Sequence, residues 1–378
     1  MTTGVSDSQK IRCLIWGGYG GGNVGDELTL ALGVVDMRRR YGNSFAILSG
    51  TPGYTMALFP DLTVIPYVPS VRAPGIASIP VRAMNRLHRY KYVPARRYDA
   101  TAQADSAQSR GWAGVMRQCE LLYLVGGGYL NDLFDFDLFC LPMEVAKHFN
   151  VKIETAPVGV GPFRDAKNAA RLQAALAGAT LRVRDVDSQA LCQGWGLPVE
   201  MGRDDGFRVT EAVTMPPRAP RERPLVGVCY HRQHGGSAGG GEVAWWRELL
   251  GLLKAANVPL EGFCFHNMIP DNFSPLVQLF AEAGLPGTLV RYPDWDFRDA
   301  CRRVAGYTAV VTSRFHGAVV AGAVGVPTIA VVNGQYYSSK MTAACQGIAG
   351  SSVADLSVKK PAEIVRQLEP LLATTAHA

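Results

Sequence analysis

Short apolar runs rich in branched and aromatic residues alternate along the chain with longer stretches whose apolar residues recur at helical spacing. The first run, Arg12–Trp16, ends in glycines, and Leu28–Arg40 then carries a helical pattern that stops at Gly42. Ser44–Leu48, Val64–Tyr67, Glu120–Val125, Lys152–Val158 and Leu181–Val183 read as further strands. A second series begins at Leu225–Tyr230 and continues through Leu260–Phe265, Thr288–Val290, Ala309–Thr312 and Thr328–Val332, with helical patterns between. Such βαβ alternation predicts mostly parallel, doubly wound sheets.

The stretch Thr214–Pro224 (TMPPRAPRERP), rich in proline and arginine, separates the two series and reads as a linker. The expected organisation is therefore an N-terminal Rossmann-like domain over 1–213, a linker over 214–224 and a C-terminal Rossmann-like domain over 225–378. Two such α/β domains in tandem suggest a GT-B-like arrangement, with an active site expected in the cleft between them. The terminal helix, Pro361–Leu372, has a pattern that suits packing on either domain. A length of 378 residues fits this division.

Composition changes the picture only at its edges. With 48% hydrophobic and 19% charged residues the chain is globular, not disordered. The net charge of +6 fits small anionic substrates but is too weak and dispersed to argue for nucleic acid. Eight cysteines show no CxxC spacing, and Cys13, Cys229 and Cys264 lie inside apolar runs. Reduced thiols in cores, and hence a cytoplasmic protein, are the expectation, with no zinc or disulfide framework. The polar start MTTGVSDSQK lacks the apolar core of a signal peptide. The longest uncharged stretch, Phe315–Ser339, is interrupted by glycines and Pro327 and reads as a helix followed by a buried strand, not as a membrane span.

Pro69–Arg110 stands apart. It holds Arg72, Arg82, Arg86, Arg89, Lys91, Arg96 and Arg97, interleaved with Tyr90, Tyr92 and Tyr98, and has no acidic residue before Asp99. The ordinary reading is a solvated surface insertion. The functional reading is a basic collar over 72–97, for an anionic membrane surface or a polyprenyl-diphosphate-linked acceptor. It would place the protein peripherally at the inner face of the membrane.

Two glycine loops follow predicted strands. In GGYGGGNVG, Gly20, Gly22 and Gly25 satisfy the spacing of a dinucleotide-binding loop, but the next strand runs into Ser49-Gly50-Thr51 instead of the acidic residue that would hold a ribose. More telling are Asn23 and Asp26-Glu27 at the loop's end. Asp26 and Glu27 have a plain reading as helix cap and dipole partner, and a chemical one as carboxylates at a ligand-binding sheet edge. The second loop, Gly126-Gly127-Gly128-Tyr129, precedes Asn131 and Asp132. Two such loops at strand ends make a binding rim, in which Gly22, Asn23, Gly127, Gly128, Tyr129 and Asp132 are candidate acceptor contacts. Trp112, Tyr129, Phe134, Phe136 and Trp295 are either core or stacking surfaces for sugar rings.

The most chemical segment is Ser313-Arg314-Phe315-His316-Gly317, after a strand and opening a helix. Its amides, Arg314 and His316 form an expected anion site, against the plainer reading of a capped helix with a paired arginine. Lys340 follows the next strand, and Arg164 leaves the first series through a glycine–proline turn beside Asp165. If Arg164, Arg314, His316 and Lys340 converge, they suit a small anion with phosphate and carboxylate together. His231, Arg232 and His234 end another strand and are either cleft-lining or a surface turn.

In GYGGGNVGDELTL, LVGGGYLND (124–132), PVGVGPFRD (157–165), VRDVDSQALCQGWGLP (183–198) and VVTSRFHGAVVAGAVGVPTIAVV (310–332), taken in order, the chain resembles the polysaccharide pyruvyl transferase family. The resemblance implies a GT-B-like fold, phosphoenolpyruvate as donor and co-substrate with no other cofactor, and a sugar or glycolipid acceptor. It implies donor binding by Arg164, His316 and Lys340, and it matches Asp26 to the aspartate of the family's GDE segment. Arg314 is expected to join the donor contacts from its place in the anion site, and Asp26 and His316 are the expected acid–base pair. Fixed cations would screen the donor's charges without a metal. Lys340 stands in NGQYYSSK, where family members carry an aspartate–proline–lysine context, and the basic insertion also departs from the family pattern. Two other functions remain open: a GT-B nucleotide-sugar glycosyltransferase, with Asp294 and Asp296 as candidate ribose-binding acids, and a non-catalytic anion- or glycan-binding relative.

Overall fold

The computed structural model describes residues 10–67, 70–73, 76–80, 111–216, 223–231, 241–266, 270–285, 289–290 and 296–373. They fall into two compact units. One holds the described residues up to Gly21 and those from Thr29 to Arg203; the other holds Gly22–Leu28 and the described residues from Asp204 onward.

In the first unit β1 (Cys13–Trp16) lies at the centre of a sheet with β2 (Phe45–Ser49), β3 (Thr63–Pro66), β6 (Leu121–Leu124) and β8 (Lys152–Thr155), ordered β3-β2-β1-β6-β8. Every pair is parallel, with Cys13 opposite Phe45 on one side and Leu121 on the other. A strand flanked on both sides and covered on both faces must be apolar throughout, and β1, CLIW, is buried at every position.

A second parallel sheet is ordered β11-β10-β9-β7, from β7 (Gly127–Leu130), β9 (Val158–Val160), β10 (Leu181–Val183) and β11 (Val199–Met201). Two expectations change here. The apolar run Lys152–Val158 is two strands in different sheets, because Pro157 has no N–H to donate to a continuing ladder. The second glycine loop is shorter than its glycines suggest, since Gly127–Leu130 is itself a strand. The helices Phe136–His148 and Ala166–Leu176 send Leu141, Val145, Leu172 and Leu176 into the core shared with Leu14, Leu122 and Val158.

A hairpin of β4 (Ser70–Ala73) and β5 (Ile76–Pro80) opens the basic segment. The side chains of that segment, the proposed collar over 72–97 included, lie outside the described residues, as does 217–222 of the expected linker.

The second unit is a single parallel sheet, ordered β14-β13-β12-β15-β16-β17, from β12 (Val226–Cys229), β13 (Leu260–Phe263), β14 (Leu289–Val290), β15 (Ala309–Thr312), β16 (Thr328–Val332) and β17 (Ser352–Asp355). Trp246, Leu249, Leu250 and Leu253 of helix Gly241–Ala255 pack on Val226, Val228 and Val311. Each of these leucines contributes about 1.5–3 kcal/mol relative to exposure. The terminal helix Pro361–Ala373 buries Ile364 and Leu368 in the same core, so it belongs to this unit.

Since all the core strands are parallel, the candidate segments leave their sheets at carboxyl ends, where open α/β sheets bind ligands. Among the described residues no helix is long and apolar enough to cross a membrane.

All eight cysteines are free and buried. Burial pushes the thiols of Cys119, Cys229 and Cys301 up to about 12 and those of Cys192 and Cys345 up to about 11. A thiol-specific chromogenic reagent at mildly alkaline pH is therefore expected to label almost none of the eight in folded protein and all of them after denaturation. Rapid labelling of a thiol in the native state would contradict this packing.

Candidate functional site

Within the second unit, residues far apart in sequence meet. The helix α1 (Val24–Tyr41) starts earlier than its apolar pattern predicts, at Val24. Asn23 opens it: the Asn23 side chain accepts the Gly25 N–H at 3.2 Å, and the Asn23 carbonyl accepts the Glu27 N–H at 3.0 Å. Glu27, 1% exposed, reaches back to accept the Gly22 N–H at 3.3 Å. Asn23 and Glu27 thus do the capping that the plain reading gave to Asp26, which sits half-buried in the first turn.

This turn is tied to the exit of β13. The Val24 N–H donates to the Phe265 carbonyl at 2.8 Å, and Asn23 pairs with His266 as an antiparallel bridge. It also lies hard against His316: a Cβ added at Gly25 would come within 2.0 Å of His316 Nδ1 and 2.5 Å of its Cβ. Only glycine permits that approach.

His316 is held from its own side by the exit of β15. The Arg314 N–H donates to Thr312 Oγ1 at 2.9 Å, while Ser313 Oγ accepts the His231 N–H at 2.7 Å and donates to the His231 carbonyl at 2.9 Å. The helix Phe315–Ala323 follows, burying His316 to 8% exposure. Across the ring, Nε2 stands 3.8 Å from Oδ1 of the buried Asp204.

Arg314 supplies the fixed positive charge. Its Nε and Nη2 are buried with no hydrogen-bond partner among the described residues. Burial pulls its pKa down, opposed by the thiols of Cys229 and Cys264, then by Asp26 and Tyr337. A guanidinium stripped of water, with two nitrogens unbonded among the described residues, is poised for an anion. His266, also 8% exposed, lies in the same field: burial first, then the charge of Arg314, lowers its pKa to about 4, so it is neutral at physiological pH. Lys340 lies in helix Gln335–Cys345, one turn beyond Tyr337 on the same face, and is half-buried.

In the first unit the loop carrying Arg164 rests on Asp132. Both Asp132 carboxylate oxygens accept the Arg164 N–H, at 2.9 and 2.8 Å, and Oδ2 also accepts the Asp165 N–H at 2.8 Å. Asp165 caps helix Ala166–Leu176 by accepting the Lys167 N–H at 2.8 Å. From the other side, Ser188 Oγ accepts the Val160 N–H at 2.8 Å, and Asp185 holds Ser188 by accepting its N–H at 2.8 Å. The Arg164 side chain is exposed.

The other expected rim residues have structural contacts of their own. The Tyr129 hydroxyl donates to the Val125 carbonyl at 2.8 Å, and its ring crowds Gly18, where a Cβ would lie 3.1 Å away. Gly127 and Gly128 run in β7, and Gly22 takes the left-handed φ of 71° that turns the first loop into α1. The dinucleotide reading fails locally as well: Thr51, where a ribose acid would stand near the strand end, donates to the Gly20 carbonyl at 2.8 Å.

Trp112, Tyr129 and Phe136 are core, whereas Phe134 is 54% exposed. Asp296 caps helix Phe297–Ala305 by accepting the Arg298 N–H at 2.8 Å. Trp295, Asp294, Arg232 and His234 lie outside the described residues.

Asp204 and His266 escaped the sequence reading. Both follow a strand's carboxyl end, in MGRDDG and FCFHN, and that position was their only signal.

A sequence model of the polysaccharide pyruvyl transferase family matches residues 23–335, from the Asn23 cap past the Arg314–His316 segment. The chain belongs to this family. Lys340 lies beyond the matched range. No match was found among curated protein sequences.

Among solved structures, the chain is similar to the UDP-N-acetylglucosamine 2-epimerase from Rickettsia bellii, with TM-score 0.58 and 10% identity over 97% of this chain and 88% of that one. It is also similar to a glycosyltransferase from Rickettsia africae (TM-score 0.54, 10% identity, covering 97% and 89%). The UDP-GlcNAc 2-epimerase from Neisseria meningitidis bound to UDP-GlcNAc gives TM-score 0.54 and 10% identity over 96% and 92%. The pyruvyl transferase family member is thus built on a GT-B-like fold of Rossmann-like α/β units.

Two outcomes are expected. Gly25→Ala forces the His316 ring and backbone apart and costs about 1–3 kcal/mol in denaturant unfolding, the usual scale of overpacking; an unchanged midpoint would mean that the contact yields freely. His266, whose folded pKa of about 4 lies below the ordinary 6.5, binds its proton more readily when unfolded. Its contribution to stability is intact above pH 6.5 and is lost as pH falls toward 4. The melting temperature should therefore fall less steeply over that window in His266→Gln than in the parent chain.

Proposed function

We propose that this family member transfers pyruvate from phosphoenolpyruvate to hydroxyls of a sugar in a cell-surface polysaccharide or its lipid-linked precursor, forming a ketal and releasing phosphate. The observation that carries the reading is the meeting of Asp26, Arg314 and His316 in one unit of a pyruvyl transferase family chain. A carboxylate, a desolvated guanidinium and an imidazole are the groups that this chemistry needs.

The reaction protonates the donor's methylene carbon, adds a sugar hydroxyl at the enol carbon, breaks the bond to the phosphate oxygen and closes the ketal with a second hydroxyl. One hydroxyl proton ends on the new methyl group, the other on phosphate. In this reading Asp26 orients and deprotonates the attacking hydroxyl. Arg314 holds an anionic group of the donor without water competing for it. His316, as imidazolium, supplies the proton to the enol or to the leaving phosphate.

Arg164 and Lys340 are assigned to the donor by family resemblance, and each is tested by substitution. Exposed Phe134, two residues beyond the Asp132 mount, is the described aromatic best suited to meet an acceptor sugar. Free, buried thiols fit a reducing, cytoplasmic setting.

Phosphoenolpyruvate is expected to raise the melting temperature of the purified protein, and the effect should vanish in Arg314→Ala and shrink in Arg164→Ala. His316→Ala and Asp26→Ala should each lower acceptor-dependent phosphate release by about 10²-fold or more while remaining folded. Stabilisation by a nucleotide sugar and not by phosphoenolpyruvate would instead assign the chain to glycosyl transfer. Donor binding without phosphate release from any acceptor would make it a binding protein.

A further inference from the structure

The second unit holds two histidines that are equally buried, at 8% exposure each, with charged neighbours of opposite sign. Burial penalises a protonated imidazole wherever it occurs. His266 shows the unrelieved case: it faces the charge of Arg314, and its pKa falls to about 4. His316 instead has Nε2 3.8 Å from Oδ1 of Asp204. Sequence gives no hint of this pairing, since 112 positions separate the two residues (316 − 204).

Asp204 is itself 4% exposed and cannot swing away, because the same Oδ1 accepts the Gly206 N–H at 2.9 Å as the cap of the 3-10 turn Asp205–Arg208. That turn packs on the histidine's helix. A Cβ at Gly206 would lie 2.8 Å from Val319, and one at Gly322 would lie 3.3 Å from the Phe207 ring. On the opposite edge of the imidazole, Gly25 closes against Nδ1. The ring is thus clamped, with Nε2 toward Asp204 and Nδ1 toward the turn that bears Asp26.

We propose that Asp204 is the positioning residue that allows His316, and not His266, to carry a proton inside this buried cluster. Held at an ion-pair distance, the carboxylate offsets the desolvation of the imidazolium and fixes the ring so that Nδ1 is the nitrogen presented toward the Asp26 turn. Among the described residues, other charged groups on the surrounding elements have partners of their own. Asp205 and Glu211 engage Arg208, and Glu27 accepts the Gly22 N–H. Asp26 lies in the field of Arg314, as does Tyr337, with Lys340 one turn further along its helix. On helix Phe297–Ala305 and its cap, Arg298 pairs with Asp296, Arg302 with Asp299 and Arg303 with Glu261. Among the described residues, Asp204 is the carboxylate within ion-pair distance of Nε2.

The link to turnover rests on the pyruvyl transfer reading, but the deciding measurement does not. It is an NMR titration of the ligand-free full chain labelled at histidine, in the parent, Asp204→Asn and Asp204→Glu. The expected result is a His316 midpoint well above that of His266 in the parent. It should fall in Asp204→Asn and recover in Asp204→Glu, with the His266 midpoint unmoved throughout.

A parent His316 that titrates as low as His266, near 4, overturns the proposal without any variant. So does a midpoint unchanged in Asp204→Asn, or one that shifts together with that of His266. In the phosphate-release assay, Asp204→Asn should lower kcat about 10–100-fold, with KM for phosphoenolpyruvate within a factor of about two. Absence of turnover in the parent would sink the pyruvyl transfer reading and leave the titration to decide the role of Asp204.

Discussion

The candidate site depends on a backbone pairing. Val24 donates to the Phe265 carbonyl and Asn23 bridges His266, so a few residues that follow β1 in sequence are bound to the exit of β13. With that pairing in place, Gly25 sits on the imidazole of His316 and Asp26 lies in the field of Arg314. Two backbone groups thus hold the geometry that the side chains use. This also explains the tolerance for conformationally expensive glycines: Gly20 and Gly22 adopt left-handed φ to bring the chain there, and Gly25 keeps its approach clear.

The site is also a local concentration of electrostatic cost. Arg314 lies with two nitrogens buried and unbonded among the described residues, and His266 beside it is held neutral. Such arrangements persist where the surroundings fix them and where an incoming group relieves them. The rigidity comes from the sheet: Thr312 and Ser313 lock the exit of β15 through side-chain bonds to Arg314 and His231.

Much of this was legible in the sequence, for identifiable reasons. Strands buried on both faces are written as unbroken apolar runs, so CLIW, VGVC and TIAVV were readable by composition alone. The segments bearing Asp26, Arg164, Arg314 and His316 stood out because polar residues directly after such runs fall at the ligand-binding edge. What was not readable were relations fixed only in three dimensions. Pro157 splits one apolar run between two sheets, GGYL is a strand although half of it is glycine, and Asp132 is a mount for the Arg164 loop, not a bare polar side chain. Asp204 and His266 carry no motif of their own, since their importance lies in which neighbour's charge they face.

The grouping of Gly22–Leu28 with residues from Asp204 onward has a consequence for how such a protein can evolve. Tandem Rossmann-like units are in principle interchangeable parts, open to recombination at the boundary between them. Here the carboxylate of Asp26 is encoded in the first half of the gene and seated among residues of the second. A crossover between the halves would bring together a loop and a histidine that had never been fitted to each other. The two halves of this lineage are therefore expected to descend together, with donor chemistry held fixed while peripheral segments diverge.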